Sequence, residues 1–466
     1  MKALALLLVC GCGRFGFDPG GDGAIDSTTG GDSGSGDVQP LIVPVAGHAG
    51  NGLIDIAFDP DGGFAVTGVF AGTIQIGGMM HTEMSSLGSD IYAAAFDASG
   101  QPRWLWTAGA SVIGSGQNIA WLPDGRVYVA GYFGGTLANA NGIDAGGGQD
   151  AVQVWLTPTG ALDSATHAGS SANVQTRGMA VAGNQLAFGG IYSSTVDFGP
   201  GPLPATGAGI DNAFLATGNV ASGVTLSSSF NGGNDVYIND VAIDAAGRVC
   251  ITGRFTATTD FGGGPISPGP ASSGFVARFD AGLLYAWARE LDNANMQSVG
   301  FATNGDCIAS GLANGGFTID SLSVPNAGGN DGVVIRFADA DGHAEWAQTV
   351  AGAGADTVFS LVPYDLDRVA IAGFFTGSAM VAGMPEVSDG AADGYVIGLD
   401  KDGNVLWTQL LAGSGAVVDS LSGMNVDLAH RRLGLAAEFN GDLRVGSAMQ
   451  TSSEDTGLAL VLPLPP

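Results

Sequence analysis

IDIAFDPDGGFAVTGVF, residues 54–70, holds two runs of alternating apolar residues on either side of a Pro-Asp-Gly turn. This pattern predicts a β-hairpin, because side chains of a strand alternate between its faces and Asp-Gly favours a tight turn. About twenty residues that we expect to be irregular follow. A third run, DIYAAAFDASG from Asp90, then turns directly into a fourth, PRWLWTAGA. The stretch 54–110 therefore predicts four antiparallel strands.

The same pattern recurs along the chain at a nearly constant period. Its first strands open at Asp55, Asn118, Gly178, Asp240, Ser298, Ser360 and Gly423, which gives steps of 63, 60, 62, 58, 62 and 63 residues. Such a period indicates one repeat architecture rather than several unrelated domains. Apolar residues do not recur with the 3.6-residue period of a helix, so the fold class is all-β.

The first strand of each repeat has one bulky face and one small face. In repeat 1 the bulky face carries Ile56 and Phe58, whereas the alternate position is Ala57. A strand with no truly polar face is expected between two converging sheets, as near the axis of a propeller.

The two ends of the chain complement each other. The last repeat stops after LALVLPLPP without a fourth run, whereas residues 41–49, LIVPVAGHA, resemble the fourth-run tails WAQTVAGAG and WTQLLAGSG. We expect an N-terminal strand to pair into the last blade and close the ring, which removes exposed sheet edges. Over residues 39–466 the sequence thus predicts an all-β, seven-bladed β-propeller with four antiparallel strands per blade.

Several pieces of the repeat carry a family resemblance. AVTGVFAGTIQIGG, ITGRFTATTDFGGG and DGYVIGLDKDGNVLWTQ resemble the bacterial seven-bladed β-propeller repeat family, which is found in many exported proteins, and the resemblance covers nearly all of residues 40–462. It implies a propeller fold and export from the cytoplasm. It implies no activity, because one fold supports many functions.

The N-terminus predicts export and a lipid anchor. Residues 1–11, MKALALLLVCG, place an apolar core after Lys2, as a secretory signal peptide does. Residues 9–12 resemble the lipobox of bacterial lipoproteins, which implies acylation of Cys12. Cys10 is the less favoured acceptor, and an ordinary buried N-terminus is the alternative. Residues 12–38 are rich in Gly, Asp and Ser and predict a disordered tether.

These features predict a cell-envelope protein anchored by its lipid. Gly13 after the cysteine points, by the same resemblance, to the outer membrane, on either its periplasmic or its surface face. The net charge of −29 repels phosphate backbones and disfavours nucleic acid as a partner. We expect a monomer whose partner is an unknown protein or glycan.

Three sets of residues in the repeat domain could have either a structural or a ligand-binding role: two cysteines, two Asp-rich segments and four tryptophans. We interpret Cys250 and Cys307 as buried apolar side chains rather than a bridge or a metal pair, because their offset from the second-strand glycines places them on opposite strand faces. DADG from Asp339 and DKDG from Asp400 lack the further ligands of a calcium loop and are interpreted as turns. A fourth-strand Trp stripe is interpreted as packing between blades rather than as a sugar platform; it comprises Trp104, Trp287, Trp346 and Trp407.

The sequence contains no common catalytic or nucleotide-binding motif, and its five histidines occupy unrelated repeat positions. We therefore expect no cofactor, no metal and no catalytic residue. The opening positions of the first strands form a candidate ligand-binding ring near one channel mouth: Asp55, Asn118, Asp240, Ser298 and Ser360, with Gly178 and Gly423 completing it. Its two carboxylates could hold a cation or ligand hydroxyls. The alternative is a hydrated channel capped by short polar groups.

Two functions follow from these observations. The first is a non-enzymatic binding or scaffold module for a protein or glycan at the cell envelope. The second is a polysaccharide-active lyase or hydrolase whose acid and base come from different blades. A spacer without a specific ligand is a third hypothesis.

Overall fold

The computed structural model describes residues 39–47, 52–82, 88–207, 209–270, 272–389, 391–412 and 417–465, without the side chains of residues 46–47, 417–420 and 453–455. The predicted signal peptide, residues 1–11, and the predicted tether, residues 12–38, lie outside the described residues, and so does His48. We number the strands in chain order and the repeats from 1 to 7.

Four long strands recur in each repeat. The first strands are β2 (Gly52–Phe58), β8 (Ile113–Trp121), β12 (Val174–Ala182), β18 (Val236–Ile243), β24 (Ala294–Phe301), β30 (Thr357–Pro363) and β36 (Val417–Asp427). The second strands are β3 (Phe64–Phe70), β9 (Val127–Leu137), β13 (Gln185–Tyr192), β19 (Val249–Phe255), β25 (Cys307–Ala313), β31 (Val369–Phe375) and β37 (Arg432–Val445). The third strands are β6 (Asp90–Phe96), β10 (Ile143–Leu156), β16 (Asn212–Asn219), β22 (Ser273–Asp280), β28 (Asp331–Phe337), β34 (Asp393–Leu399) and β38 (Ala448–Pro463). The fourth strands are β7 (Pro102–Ala108), β11 (Leu162–Ala168), β17 (Gly223–Phe230), β23 (Leu284–Asp292), β29 (Ala344–Gly352), β35 (Val405–Ala412) and β1 (Leu41–Gly47).

Short strands fill the segments between the second and third long strands. They are β4 (Thr73–Ile76), β5 (Met79–Thr82), β14 (Val196–Asp197), β15 (Pro202–Leu203), β20 (Thr259–Asp260), β21 (Pro265–Ile266), β26 (Phe317–Ile319), β27 (Leu322–Val324), β32 (Ser378–Val381) and β33 (Met384–Val387). One 3-10 turn, Asp365–Asp367, lies between β30 and β31. The expectation that these segments are irregular is wrong, since they form outer hairpins in repeats 1, 3, 4, 5 and 6.

The prediction of seven separate four-stranded blades is wrong. Five sheets each hold one complete blade: those of repeats 1 to 4 have four strands, and that of repeat 5 has six. The long strands of repeats 6 and 7 instead belong to one ten-stranded sheet, which also contains β4 and β5, whereas β32 and β33 extend the sheet of repeat 5. The reason lies in the outer hairpins, because the end of β29 pairs with β32 and the end of β35 pairs with the outer part of β37. The fold is an all-β propeller built from four-stranded units.

The N-terminal strand closes the ring. β1 pairs antiparallel with β38, with Leu41 opposite Val461 and Val45 opposite Gly457, and its end continues onto β4 of repeat 1. The first strand β2 packs in turn beside β36 of the last repeat, where Ser422 Oγ donates to Leu53 O at 2.9 Å. The predicted pairing of the N-terminal strand into the last blade is therefore present in the structure.

The core lies between successive blades. Between repeats 1 and 2, the small side chains Ala65 and Ala93 of one blade pack against Val129 and Val154 of the next. All four are fully buried or nearly so. Small faces against bulky faces let the wedge-shaped units converge on an axis without voids.

The Trp stripe joins neighbouring blades at their outer part. In three of the four cases an indole N–H donates to a backbone carbonyl in the third-to-fourth-strand turn of the following repeat: Trp104 to Pro158 (3.1 Å), Trp287 to Asp339 (3.0 Å) and Trp346 to Lys401 (2.8 Å). These three indoles are buried. Trp407 is half-buried and donates to the Tyr364 hydroxyl of its own repeat. Packing between blades is confirmed for Trp104, Trp287 and Trp346.

We expect Gly342→Ala to destabilise the protein by about 1–3 kcal/mol more than Gly282→Ala. Both glycines have positive φ, but a Cβ on Gly342 would lie 2.6 Å from the Trp287 ring, whereas a Cβ on Gly282 would meet no atom within 4 Å. Urea unfolding of the two variants measures the difference. Equal losses would show that the indole does not pack against the turn.

Cys250 and Cys307 form a disulfide between the blades of repeats 4 and 5, with their Cα atoms 6.3 Å apart. The prediction that they are unbridged is wrong, although their predicted placement on opposite strand faces agrees with the bridge. Neighbouring blades stack face to face, so the face of a strand that points toward the following blade meets the opposite face of the corresponding strand in that blade. Opposite faces are therefore what a bridge between blades requires.

We expect the two cysteines to be recovered as one cross-linked peptide pair when oxidised protein is digested without reductant and analysed by mass spectrometry. Removing the bridge with Cys250→Ala/Cys307→Ala should lower the free energy of unfolding by about 4 kcal/mol, because the bridge closes a loop of 57 residues. Reductant should lower the melting temperature of the wild type and leave that of the double variant unchanged. Free thiols at both positions in the oxidised protein would contradict the assignment.

Candidate functional site

Each first strand contains a β-bulge at the same place. In β2, Leu53 pairs with Gly68 and Asp55 pairs with Thr67, so Ile54 is left without a partner on β3. The same shift of register recurs in the other first strands. A bulge redirects a side chain out of the regular alternation. The bulged residues, which we call the bulge ring, are Ile54, Gln117, Arg177, Asn239, Gln297, Phe359 and Ser422.

The bulge ring lines a cavity of about 480 Å³ in the centre of the propeller. This volume falls within the range of small-molecule sites, about 300–1,000 Å³. Because the ring residues occupy the same position in their strands, they lie at one level of the channel.

The ring is chemically asymmetric. Its members from repeats 2 to 5 are polar, Gln117, Arg177, Asn239 and Gln297, whereas repeats 6 and 1 contribute Phe359 and Ile54. Phe359 packs against Phe374, also half-buried, with ring centres 5.6 Å apart. Ser422 of repeat 7 lies between Phe359 and Ile54 in the ring, and its hydroxyl donates to Leu53 O. The cavity therefore offers a polar arc on one side and the apolar side chains of Phe359 and Ile54 on the other.

The ring predicted from sequence occupies the next position along the same strands. Its five candidate side chains all line the same cavity, so the structure brings them together: Asp55, Asn118, Asp240, Ser298 and Ser360. Gly423 lines it too, and Gly178 contacts Asp240. Whether any of these residues binds a ligand stays a prediction.

The two aspartates of this ring tie blades together. Asp55 accepts the Ile56 N–H on Oδ1 (2.8 Å) and the Ile119 N–H of the next repeat on Oδ2 (2.9 Å). Asp240 repeats this arrangement with Val241 (2.8 Å) and Val299 (2.9 Å). Every carboxylate oxygen thus accepts a backbone N–H, which makes the pair a structural clamp between first strands.

Small neighbours make room for each clamp. A Cβ on Gly423 would lie 2.6 Å from the Asp55 Cα, and one on Gly178 would lie 2.4 Å from the Asp240 Cα. Ser298 extends the clamp, because its hydroxyl donates to Asp240 (3.0 Å) and accepts the Leu361 N–H of the following repeat (3.3 Å). The glycine precedes the aspartate by one repeat in both cases.

Burial raises the pKa of Asp55 to about 7 and that of Asp240 to about 6. Both residues are half-buried and line the cavity. The backbone N–H donors oppose this shift, since hydrogen bonds to a carboxylate favour its charged form. Desolvation prevails, so the native state binds these protons more tightly than the unfolded chain does.

We expect the stability of the protein to rise as the pH falls from about 8 to about 5, by a contribution that Asp55→Asn/Asp240→Asn removes. A carboxyl whose pKa is raised in the native state takes up its proton there first, and protonation relieves the burial of charge. Thermal unfolding of both proteins across this range measures the two slopes. Parallel pH profiles for wild type and variant would contradict the assignment of the raised pKa values to these residues.

A cluster of two arginines and a tyrosine adjoins the polar arc. The Arg177 guanidinium lies 5.0 Å from the Tyr237 ring centre, and the Arg254 guanidinium lies 4.4 Å from the same ring. The Tyr237 hydroxyl donates to Asp211 Oδ2 (2.9 Å). Burial first, and then the Asp211 charge, raise the pKa of Tyr237 to about 12.

Sequence reasoning missed the bulge ring, although the first strands contain a signal for it. Leu53 and Ile56 are both large, apolar and buried, yet they are three residues apart rather than two. The pairs Ile238 and Val241 and Met296 and Val299 show the same spacing. An odd interval between two inward-facing residues indicates an inserted residue.

Within the part of the chain that the structure describes, no three His, Cys, Asp or Glu side chains lie close enough to hold a metal ion. The four described histidines have different partners: His81 contacts Thr107, His167 contacts Asp150, His343 contacts Asp320 and His430 contacts Asp427. The turn interpretation of DKDG is confirmed, since Asp400 Oδ1 accepts the N–H groups of Asp402 and Asn404. The helical content of the described ranges includes nothing long and apolar enough to span a membrane.

No protein-family model and no curated protein sequence matches the chain. Among solved structures, it is similar to the WD40 domain of Pan2 from Neurospora crassa, with 10% identity, 88% of this chain and 89% of that chain covered, and a TM-score of 0.46. It is also similar to Sqt1 from Chaetomium thermophilum, with 11% identity, 92% and 100% coverage, and a TM-score of 0.42. The Dos1 propeller gives 10% identity, 90% and 95% coverage, and a TM-score of 0.41. The propeller assignment rests on the strand pairings described above.

Proposed function

We propose that the protein is a non-enzymatic binding module of the cell envelope, which takes a protein or glycan at its central cavity. One observation carries this proposal: the repeated bulge directs seven side chains of differing chemistry into one cavity. A bulge in every first strand is a built feature rather than a local irregularity. A spacer without a ligand would not need different residues at these equivalent positions.

The aspartates of the cavity support binding over catalysis. A general acid or base needs a carboxylate oxygen free to exchange a proton with a substrate. Both oxygens of Asp55 and of Asp240 instead accept backbone N–H groups. Their place in the clamp gives them a structural role.

We propose further that acylation of Cys12 holds the module at the outer membrane, with residues 12–38 as its tether. The support is the lipobox-like sequence at residues 9–12 and the Gly/Asp/Ser composition that follows it. A lipid with a flexible arm keeps the propeller near the membrane without inserting it.

We expect full-length protein to fractionate with outer membranes and Cys12→Ser to become soluble in the periplasm, because the lipid is the proposed anchor.

Cross-linking and pull-down from envelopes should recover a partner with wild type. Its recovery should fall with Gln297→Ala/Asn239→Ala, which removes two bulge-ring amides, and should persist with Lys401→Ala on an exposed turn. Unchanged fractionation of Cys12→Ser would overturn the anchor, and equal recovery with all variants would overturn the binding site.

The arginine and tyrosine cluster favours a second candidate, a polysaccharide-active lyase or hydrolase. Tyr237 lies against two cations, an environment in which a tyrosine could exchange protons with a substrate. Against this, its hydroxyl donates to Asp211 and its pKa is raised to about 12. Incubation of the protein with envelope polysaccharides tests this candidate. New reducing ends or unsaturated sugars that disappear with Tyr237→Phe would establish an enzyme. Intact polymers would exclude this candidate and favour the binding module.

A further inference from the structure

We infer that the bulge ring binds the carboxylate of a ligand that has an apolar body, with Arg177 holding the acidic group and Phe359 contacting the apolar part. The inference rests on the proposed binding function and narrows its ligand to one with an acidic group and an apolar body, which excludes the glycan alternative.

Arg177 is a cation whose hydrogen-bonding capacity is largely unused. Its Nε–H is buried without an acceptor, and its Nη1 reaches Asn239 Oδ1 only at 3.4 Å, near the limit of a hydrogen bond. A buried donor without a partner is unfavourable by about 1–3 kcal/mol. Native structures rarely keep such a group without a purpose.

The contact with Tyr237 explains how this cation is held. Stacking on an aromatic face fixes a guanidinium while leaving its N–H groups available, and it favours the charge electrostatically. Arg254 against the same ring adds a second positive charge. The tyrosine thus positions two cations without using their donors.

Arg177 and Arg254 are unusual in this chain, because most of its basic residues are paired with a carboxylate. Acidic residues outnumber Lys and Arg by 44 to 15. Ten of the described Lys and Arg residues lie within 4.0 Å of a carboxylate. Within the described ranges, Arg177, Arg254 and Arg444 have no such partner, and Arg444 lies exposed on the outer part of β37. In a strongly acidic protein, two unpaired cations beside a cavity indicate that an anion is supplied from outside.

The two carboxylates that line the same cavity do not serve Arg177. Asp55 and Asp240 have both oxygens engaged by backbone N–H groups, as described above. The Gln297 amide shares the polar arc with Arg177 and can donate to the second oxygen of a carboxylate. The amide of Asn239 is fixed, because its two N–H groups donate to Asn295 Oδ1 (3.1 Å) and Met296 O (2.8 Å).

The opposite side of the ring selects the rest of the ligand. Phe359 comes from repeat 6 and Ile54 from repeat 1, and both occupy the same strand position as Arg177. An acid with an aromatic or aliphatic chain can place its charge on the guanidinium and its body on Phe359. A sugar acid has a polar body and would leave the apolar side chains of Phe359 and Ile54 without a partner. The net negative charge further disfavours polyanions, so a single acidic group fits best.

Isothermal titration calorimetry with 4-phenylbutyrate, using the full propeller, tests the inference. We expect binding at least about 10-fold tighter than that of the neutral 4-phenylbutanamide, because a carboxylate on a guanidinium makes charge-assisted hydrogen bonds. Arg177→Gln should weaken phenylbutyrate binding by about 10-fold or more, and Arg177→Lys by less. Phe359→Ser should weaken phenylbutyrate and phenylbutanamide alike.

Arg444→Gln is the matched control, since Arg444 is an exposed arginine on the outer part of β37. It should bind phenylbutyrate as the wild type does, and the melting temperatures of all variants should be compared to verify folding. Equal binding of acid and amide, or unchanged binding by Arg177→Gln, would overturn the inference. Tighter binding of glucuronate than of phenylbutyrate would also overturn it.

The envelope pull-down separates this inference from the proposed function. If wild type recovers a partner but does not bind phenylbutyrate, the ligand class is wrong and the binding module stands. If it neither recovers a partner nor binds the probe, both proposals fail.

Discussion

The pairing of β1 with β38 is the interaction on which the rest of the structure depends. Without it, the unit of repeat 7 would lack its fourth strand, and the edge of β38 would expose unpaired backbone groups. With it, the first and last repeats meet, and Leu41 lies opposite Val461. The central cavity exists because the ring is closed: its walls include Ile54 from the first repeat and Ser422 from the last.

In the closed ring, the first strands must lie close to one another and must also present side chains to the central cavity. A short segment around the bulge of each first strand does both. Neighbouring strands must lie close, and the small residues at Gly178 and Gly423 let the aspartates of the next repeat approach. The aspartates then bind backbone N–H groups across the gap. The bulge just before them turns a further residue of each strand toward the axis. The aspartates that hold the strands together and the bulge-ring residues that face the cavity thus occupy adjacent positions in each strand. A substitution in the bulge ring need not disturb the contacts of the aspartates.

The sequence was sufficient for the parts of the fold that follow from periodicity. The alternation around Ile56 and Ala57 predicted the packing faces, and the likeness of residues 41–49 to the fourth-strand tails predicted the closing strand. Blade separation was not predictable, because the link between repeats 6 and 7 depends on where Leu411 meets Val445 rather than on a pattern. The Cys250–Cys307 bridge was missed because strand faces were compared within one sheet, whereas the bridge joins two stacked sheets.

The ring of residues predicted from the sequence lies one position from the bulge ring in the same strands. Reading the strand openings led to Asp55 and Asp240, which line the cavity but are engaged by the backbone. Arg177 and Phe359 precede the openings by one position, and only the displaced register of a bulge brings them to the axis. Their chemistry is not repeated from unit to unit, so no periodic pattern could indicate it. The pairing of Arg177 with Tyr237 is a contact between repeats that only the folded ring creates.

Hydrogen–deuterium exchange of β1 tests the account most directly. If the ring is closed as described, every second amide of β1, on the side that faces β38, exchanges slowly, with protection comparable to that of its partners in β38. If these amides exchange as fast as those of an unstructured segment while β38 stays protected, the ring is open. The central cavity and the bulge ring as described here would then be wrong.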